Sequence, residues 1–230
     1  SWIADPEVRE LYGRYLTAEE MHTVLPLWVW DWMETNIPES PITSTKDAFW
    51  QLGRLRYFLR AFPGHGQEVS QKVSDLTYLE KDEHWEIRTE YALLMAALGD
   101  LRPAQTLAND SKLPPLYARR LAHGLIQNET PTLAFVVIER ILKLQNLTNN
   151  ARLHFQHLHA RARLVAGQDA VVDLENLFAM DPCPENAALL VQAHLARRDK
   201  NCRRIREVLD RFPNHPQMVF VAQNATMVCP

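Results

Sequence analysis

The sequence is poor in glycine and has no long apolar run. It contains 7 glycines against 14 prolines in 230 residues. Folds rich in β-turns and phosphate-binding loops need residues with positive φ, so this scarcity argues against both. No apolar run approaches the ~18–20 residues of a membrane span. Apolar residues make up 47% and charged residues 23%, which are ordinary proportions for a globular protein and argue against disorder.

Cysteine is also scarce, with only Cys183, Cys202 and Cys229. Three scattered cysteines are too few for a disulfide framework or a cysteine-rich zinc site. We therefore expect reduced thiols, a reducing compartment and a cytoplasmic protein. The chain begins with Ser1 rather than Met, which is consistent with a piece of a longer protein that missing sequence tethers to a membrane.

The common catalytic motifs are absent. There is no G-x-S-x-G, H-E-x-x-H, G-x-x-x-x-G-K-[ST] or G-x-G-x-x-G pattern. Two adjacent carboxylate pairs, Glu19-Glu20 and Asp82-Glu83, stand at predicted helix starts, where the helix dipole favours acidic residues for structural reasons. The sequence therefore predicts a protein that is not an enzyme, with no cofactor and no small-molecule substrate.

Helical periodicity dominates the rest of the chain. A capping box opens a helix at Thr17, and Thr130-Pro131 supplies a cap followed by proline at the first helical position. No run alternates long enough to demand a strand, so the predicted fold class is all-α. The predicted helices span residues 6–15, 17–34, 46–62, 67–79, 85–98, 101–110, 116–127, 131–145, 151–166, 169–180, 186–198, 201–212 and 216–226.

From about residue 85 the helices come in pairs that repeat. The first helices can be aligned on four small residues, Ala92, Ala122, Ala160 and Ala193, at spacings of 30, 38 and 33 residues. A helical hairpin cannot bury its apolar face alone, so successive hairpins stack to build a continuous core. We therefore predict Ala92, Ala122 and Ala160 to be buried at helix contacts.

At this point the chain resembles the tetratricopeptide-repeat (TPR) family. The pair Leu121-Ala122, the turn Gly99-Asp100 and the linker Asp181-Pro182 are similar to its motifs. Ala104, Ala134 and Ala170 match its small residue in the second helix. The resemblance implies a right-handed superhelix of antiparallel helical hairpins (a TPR-like α-solenoid) with an N-terminal helical extension. We expect an acidic, Trp-rich region over 1–66 and one continuous repeat array over 67–230.

The resemblance also implies a binding surface. In that family the first helices line a concave groove, and matching positions in this chain carry donors and cations. Such a set is similar to the carboxylate-holding grooves of peptide-binding members, which implies a protein or peptide partner that is acidic. The implied groove residues are Arg119, His123, Gln127, His154, His157, Arg161, His194, Arg197 and Arg198.

Two other clusters have different interpretations. Trp28, Trp30 and Trp32 lie on both sides of one predicted helix, so they are either core residues or an alternative interface. His154, His157 and His159 resemble a metal cluster, but residue 159 points away from the other two on a helix. No cysteine or carboxylate stands near them in the sequence to complete a site, so we predict no metal.

Charge is segregated along the chain. Residues 1–40 hold eight acidic residues and two arginines, whereas residues 116–206 hold thirteen Lys or Arg and eight acidic residues. Opposite charges favour self-association between the two regions or binding of charged partners. Six cations within 197–206 leave a nucleic-acid-binding helical repeat as the alternative function.

These observations together predict a non-enzymatic protein–protein interaction scaffold. Its partner would be an acidic or C-terminal peptide segment, or an anionic protein face. The resemblance places such domains in larger assemblies, including membrane-associated secretion and polysaccharide-export complexes.

Overall fold

The computed structural model describes residues 44–213 and 215–229, and these residues form helices and turns without any strand. The all-α prediction is confirmed for them. Within these ranges no helix combines the length and apolarity that a bilayer span requires. The helices expected over 6–15 and 17–34, together with Trp28, Trp30 and Trp32, lie outside the described residues.

The helices begin close to the predicted positions. Two short 3₁₀ segments, Pro63–His65 and Ser74–Lys81, flank α2, which is shorter than the helix expected over 67–79. The α-helices are α1 (Thr45–Ala61), α2 (Gly66–Val73), α3 (Trp85–Ala97), α4 (Arg102–Asn109), α5 (Pro115–Gln127), α6 (Pro131–Leu142), α7 (Asn149–Val165), α8 (Val171–Met180), α9 (Pro184–Ala196), α10 (Cys202–Leu209) and α11 (Pro216–Val228).

Three of the predicted first helices end in the same way. The residues Gly99, Glu129 and Gly167 follow α3, α5 and α7 with positive φ angles of 90°, 56° and 68°. Each lies seven residues after the aligned alanine of its helix. The next N–H then donates a hydrogen bond of 2.8–2.9 Å to the carbonyl five positions earlier. This left-handed ending satisfies carbonyls that the helix leaves open, and it recurs at the predicted repeat position.

The small residues of the predicted repeat are buried. Ala92 and Ala122 have no exposed surface, and Ala160 is 1% exposed. The second-helix alanines, Ala104 and Ala134, are also fully buried. The prediction that Ala92, Ala122 and Ala160 are buried is therefore confirmed. A larger side chain at such a position would overpack its surroundings at a cost of roughly 1–3 kcal/mol.

The chain divides into two compact units, and the division after Leu121 falls in the middle of α5. In the described part of the first unit, α1 packs on α3 and α3 packs on α4. Leu52, Leu55, Phe58 and Ile87 belong to its apolar core. The boundary expected near residue 66 falls inside this unit.

In the second unit, neighbouring helices pack against each other along the chain. Contacts join α6 to α7, α7 to α8, α8 to α9, and α9 to both α10 and α11. Its core includes Leu174, Phe178, Leu190 and Ile205 from the central helices. Met218 on α11 is also part of this core.

A disulfide links the start of α10 to the end of α11. Cys202 and Cys229 are bonded, with their Cα atoms 5.3 Å apart. The expectation of reduced thiols is therefore wrong for these two residues, which lie 27 positions apart and meet only because α10 and α11 pack together. Cys183 is free, and burial raises the pKa of its thiol.

Candidate functional site

A polar stripe runs along one side of α7. His154, His157 and Arg161 are spaced by three and four positions, so they share a helix face. Phe155 and Leu158, on other sides of the same helix, are buried. We call His154, His157 and Arg161 the α7 polar face.

Polar contacts extend this face to the neighbouring first helices. Arg161 Nη1 lies 3.4 Å from Nε2 of His123 on α5. His157 Nδ1 lies 2.8 Å from Oδ1 of Asn186 on α9. Asn186 in turn donates from Nδ2 to the backbone carbonyl of Asp181 at 2.8 Å. Side chains from α5, α7 and α9 are therefore brought together in the second unit.

The hydrogen-bonding roles follow from the chemistry of the partners. The Arg161 guanidinium can only donate, so Nε2 of His123 is the acceptor in this contact. Asn186 Oδ1 can only accept, so His157 carries a proton on Nδ1. The face therefore presents the Arg161 cation and the His157 imidazole, each in polar contact with a side chain of a neighbouring helix.

The other predicted groove residues in the second unit have different environments. Gln127 is half-buried and Arg198 is exposed. Arg197 forms ion pairs with Asp199 at 3.2 Å and Asp169 at 3.8 Å. These acidic partners neutralise much of the charge that Arg197 would offer to a ligand.

One further predicted residue, His194, does not join this face. His194 is 4% exposed and therefore cannot line a surface. Its Nε2 lies 3.3 Å from Glu175 Oε1. Arg119 is exposed on α5 and belongs to the first unit.

Glu175 on α8 is the centre of a separate charged network. It accepts hydrogen bonds from Arg204 Nε at 2.8 Å and Arg204 Nη2 at 2.5 Å. These bonds, followed by the contact with His194, hold the pKa of the Glu175 carboxyl below its usual range. The network ties α8 to α9 and α10, so it explains why His194 is turned inward.

Half of the cations in the basic cluster over 197–206 are paired with acidic side chains. Arg203 pairs with Glu207 at 3.0 Å, and Arg204 pairs with both Glu175 and Glu207. With the Arg197 pairs, three of its six cations have carboxylate partners. The cluster therefore offers less free positive charge than its composition suggests.

The opposite side of α7 holds the third histidine and a small cavity. His159 packs against the Phe135 ring at 5.3 Å, away from the α7 polar face. It lines a cavity of about 150 Å³ together with the apolar residues Leu142, Leu177 and Met180 and the polar residues Gln156, Asp173 and Asn176. Over the described ranges, no three His, Cys, Asp or Glu side chains are grouped so that they could hold a metal ion.

Asn186 is a buried partner of the α7 polar face that sequence reasoning missed. In the sequence it follows the Asp181-Pro182 linker. Its side chain is buried, and a buried amide needs hydrogen-bond partners, one of which here is His157. Burial of this kind depends on how α7 packs beside α9.

Comparisons with known proteins give no relative for this chain. No family model, no curated protein and no solved structure matches it. The α7 polar face must therefore be interpreted from its own contacts and chemistry.

Proposed function

We propose that this protein is a non-enzymatic scaffold that binds an acidic or C-terminal peptide segment, or an anionic protein face, on the α7 polar face. The observation that carries the proposal is the junction of three helices through Arg161–His123 and His157–Asn186. A surface built from several helices gives an extended ligand successive contact points. Such surfaces are typical of helical-repeat proteins that bind peptides.

The chemistry of the face suits carboxylates. A guanidinium binds a carboxylate with two parallel charge-assisted hydrogen bonds. The histidines add donors that gain positive charge when protonated. A peptide with several acidic side chains, or a free C-terminal carboxylate beside one, would contact Arg161 first and His154 or His157 next.

The repeated helix endings support a TPR-like array as the framework. The left-handed residues after α3, α5 and α7 recur at the same distance from buried alanines. We propose that hairpins of this kind form a right-handed superhelix and assemble a larger complex, such as a secretion or polysaccharide-export machinery. The Trp28–Trp32 interface and self-association through the acidic N-terminal region stay predictions.

The disulfide changes the cellular setting that we propose. Disulfides persist in oxidising compartments and are rare in the cytosol. The Cys202–Cys229 bond therefore favours an extracytoplasmic or secreted setting over the cytoplasmic one expected from the cysteine count.

The alternative, nucleic-acid binding through 197–206, has less support. Phosphate binding needs cations that can exchange counterions for phosphates. Arg197, Arg203 and Arg204 already have carboxylate partners. A nucleic-acid ligand would have to break these pairs.

A matched pair of variants on α7 tests the proposal. The ligand is a fluorescently labelled peptide of glycine and glutamate with a free C-terminal carboxylate. Replacing Arg161 by alanine should weaken binding about tenfold, because a hydrogen bond to a charged group is worth about 1.5–3 kcal/mol. The control Arg163→Ala removes an arginine that pairs with Asp173 instead, and it should bind almost as the wild type does.

Fluorescence anisotropy titrations measure the affinity of both variants for the peptide, and far-UV circular dichroism verifies that they fold. The same peptide with an amidated C-terminus shows how much the terminal carboxylate contributes. Equal affinities for the two variants would contradict the proposal, as would binding that never saturates. Stronger binding to a labelled oligonucleotide than to the peptide would favour the alternative.

A further inference from the structure

Among the described residues of the first unit, one carboxylate is enclosed in the core. Glu90 on α3 has no exposed surface and is surrounded in sequence by the buried residues Thr89, Tyr91 and Ala92. A buried carboxylate is stable only when charged partners and hydrogen bonds compensate its lost hydration. Arg56 on α1 therefore donates from Nε to Glu90 Oε2 at 3.2 Å.

A second arginine binds the other oxygen of this carboxylate. Arg120 on α5 donates from Nε to Glu90 Oε1 at 2.6 Å. Two guanidinium groups around one carboxylate leave the cluster with an excess of one positive charge. The excess charge lies on the partly exposed Arg120, where a bound anion would balance it.

The two arginines differ in what they expose. The Arg56 side chain is 8% exposed, lies over the Tyr57 ring and donates to the Tyr57 hydroxyl at 3.3 Å. The Arg120 side chain is 40% exposed. Among the described residues, neither Nη group of Arg120 has a hydrogen-bond partner. The outer end of Arg120 therefore faces water with its donors available.

Arg120 is also held in a fixed orientation. Its Nε–H is bound by Glu90, and its guanidinium carbon lies 4.8 Å from the centre of the Phe49 ring. A guanidinium is planar, so fixing Nε and one face also fixes the directions of both Nη groups. Most surface arginines must lose side-chain entropy on binding a ligand, whereas this one has already lost it.

We propose that Arg120, oriented by Glu90 and Phe49, is a binding site for a carboxylate on a peptide or small organic acid. The two Nη groups match the two oxygens of a planar carboxylate. The excess of one charge fits a monoanion better than a phosphate dianion.

The neighbouring residue supplies a matched control. Arg119 is exposed on the same helix, and no contact with Glu90 orients it. Replacing either arginine by glutamine removes one positive charge from nearly the same place. Only the loss of Arg120 should abolish an oriented site, so the pair separates a defined site from general attraction by positive charge.

The test titrates the isotope-labelled full chain with sodium acetate. NMR monitors the arginine Nε–H signals and the α3 backbone amide signals during the titration. Sodium chloride at equal ionic strength corrects for screening, and sodium phosphate is a separate arm. We expect saturable shifts of the Arg120 and Arg56 Nε–H signals with acetate and weaker binding of phosphate. In Arg120→Gln the acetate affinity obtained from the α3 amide shifts should fall at least about tenfold. In Arg119→Gln this affinity should change less than about twofold.

A second variant keeps the test decisive if Arg120→Gln does not fold. Arg120→Lys retains the positive charge near Glu90 but lacks two parallel donors, so it should fold and bind acetate weakly. Absence of saturable shifts in the wild type, equal losses in the two glutamine variants, or wild-type affinity in Arg120→Lys would overturn the site. Tighter binding of phosphate than of acetate would overturn its assignment to carboxylates.

Discussion

The two units each contain a carboxylate held by two nitrogen-bearing side chains, and the two carboxylates differ in burial. Glu90 in the first unit has no exposed surface, whereas the Glu175 side chain in the second unit is 31% exposed. Both accept short hydrogen bonds from an arginine Nε. Water screens and replaces ion pairs near the surface, so similar contacts have different energetic consequences in the two places.

The difference indicates how each unit is held together. In the first unit, ion pairs link α1, α3 and α5 around the buried Glu90 carboxylate. Loss of its partners would leave a buried unpaired charge, which is strongly destabilising. In the second unit the charged network is accessible to water, and a covalent bond ties α10 to α11. The first unit should therefore be sensitive to single charge deletions, and the second to loss of its cross-link.

The largest expected effect comes from breaking the buried network at Arg56. In Arg56→Met, Glu90 keeps only the half-exposed Arg120, so we expect a loss of about 3–5 kcal/mol. All six Trp and all six Tyr residues precede residue 122. Intrinsic fluorescence in a urea titration therefore reports on the first unit alone.

Two further variants sharpen this measurement. Arg60→Met, one turn along α1, should cost far less because no buried carboxylate depends on Arg60. The double variant Arg56→Met with Glu90→Leu should be more stable than Arg56→Met alone, because it removes the unpaired buried charge. If the double variant were the less stable one, the account of Glu90 as a costly buried charge would be wrong.

The next effect concerns the cross-link in the second unit. Replacing Cys202 and Cys229 together by serine should destabilise this unit by about 3 kcal/mol, mainly because the unfolded chain regains the freedom that the closed loop removed. Far-UV circular dichroism should then show an earlier urea transition, while the fluorescence transition stays in place.

Cys183→Ser is the control, because this thiol is free and the disulfide remains. Its urea transition should be close to that of the wild type. Addition of a reductant should shift the wild type towards the double serine variant and leave that variant unchanged. If reductant left the urea transition of the wild type unchanged, the disulfide would contribute nothing to stability.

Much of the fold could be predicted from the sequence because its signals are local. Proline at the start of α6 and glycine after α3 and α7 determine helix ends within a few residues. The left-handed Glu129 was missed, since a glutamate gives no local signal for positive φ. The register of α10 against α11, and with it the disulfide, depends on tertiary packing.

The candidate site could be predicted from the sequence only where helical spacing determines which residues share a face. His154, His157 and Arg161 share a face by periodicity alone. The inward position of His194 depends on Glu175, a residue 19 positions away. The role of Arg120 depends on Glu90, 30 positions away, although a lone acid within the apolar stretch of α3 was an available signal.

The smallest expected effect concerns Glu175 and depends on pH. Its folded-state pKa lies below the usual value near 4.5, first because of Arg204 and then because of His194. A depressed carboxyl pKa stabilises the folded state fully above about pH 4.5 and loses that contribution as the pH falls through the folded-state pKa. At pH 7, Glu175→Gln should therefore cost less than about 1 kcal/mol, since solvent screens the exposed network.

The measurement is the urea midpoint by circular dichroism at several pH values between 7 and 3. The difference between the wild type and Glu175→Gln should shrink steadily below about pH 4.5 and nearly vanish at the acid end. Glu139→Gln, an exposed carboxylate on α6, should show no such trend. A cost at pH 7 as large as that of Arg56→Met would erase the distinction between the buried and the accessible carboxylate, and a gap that widened on acidification would reverse the assigned direction of the Glu175 pKa shift.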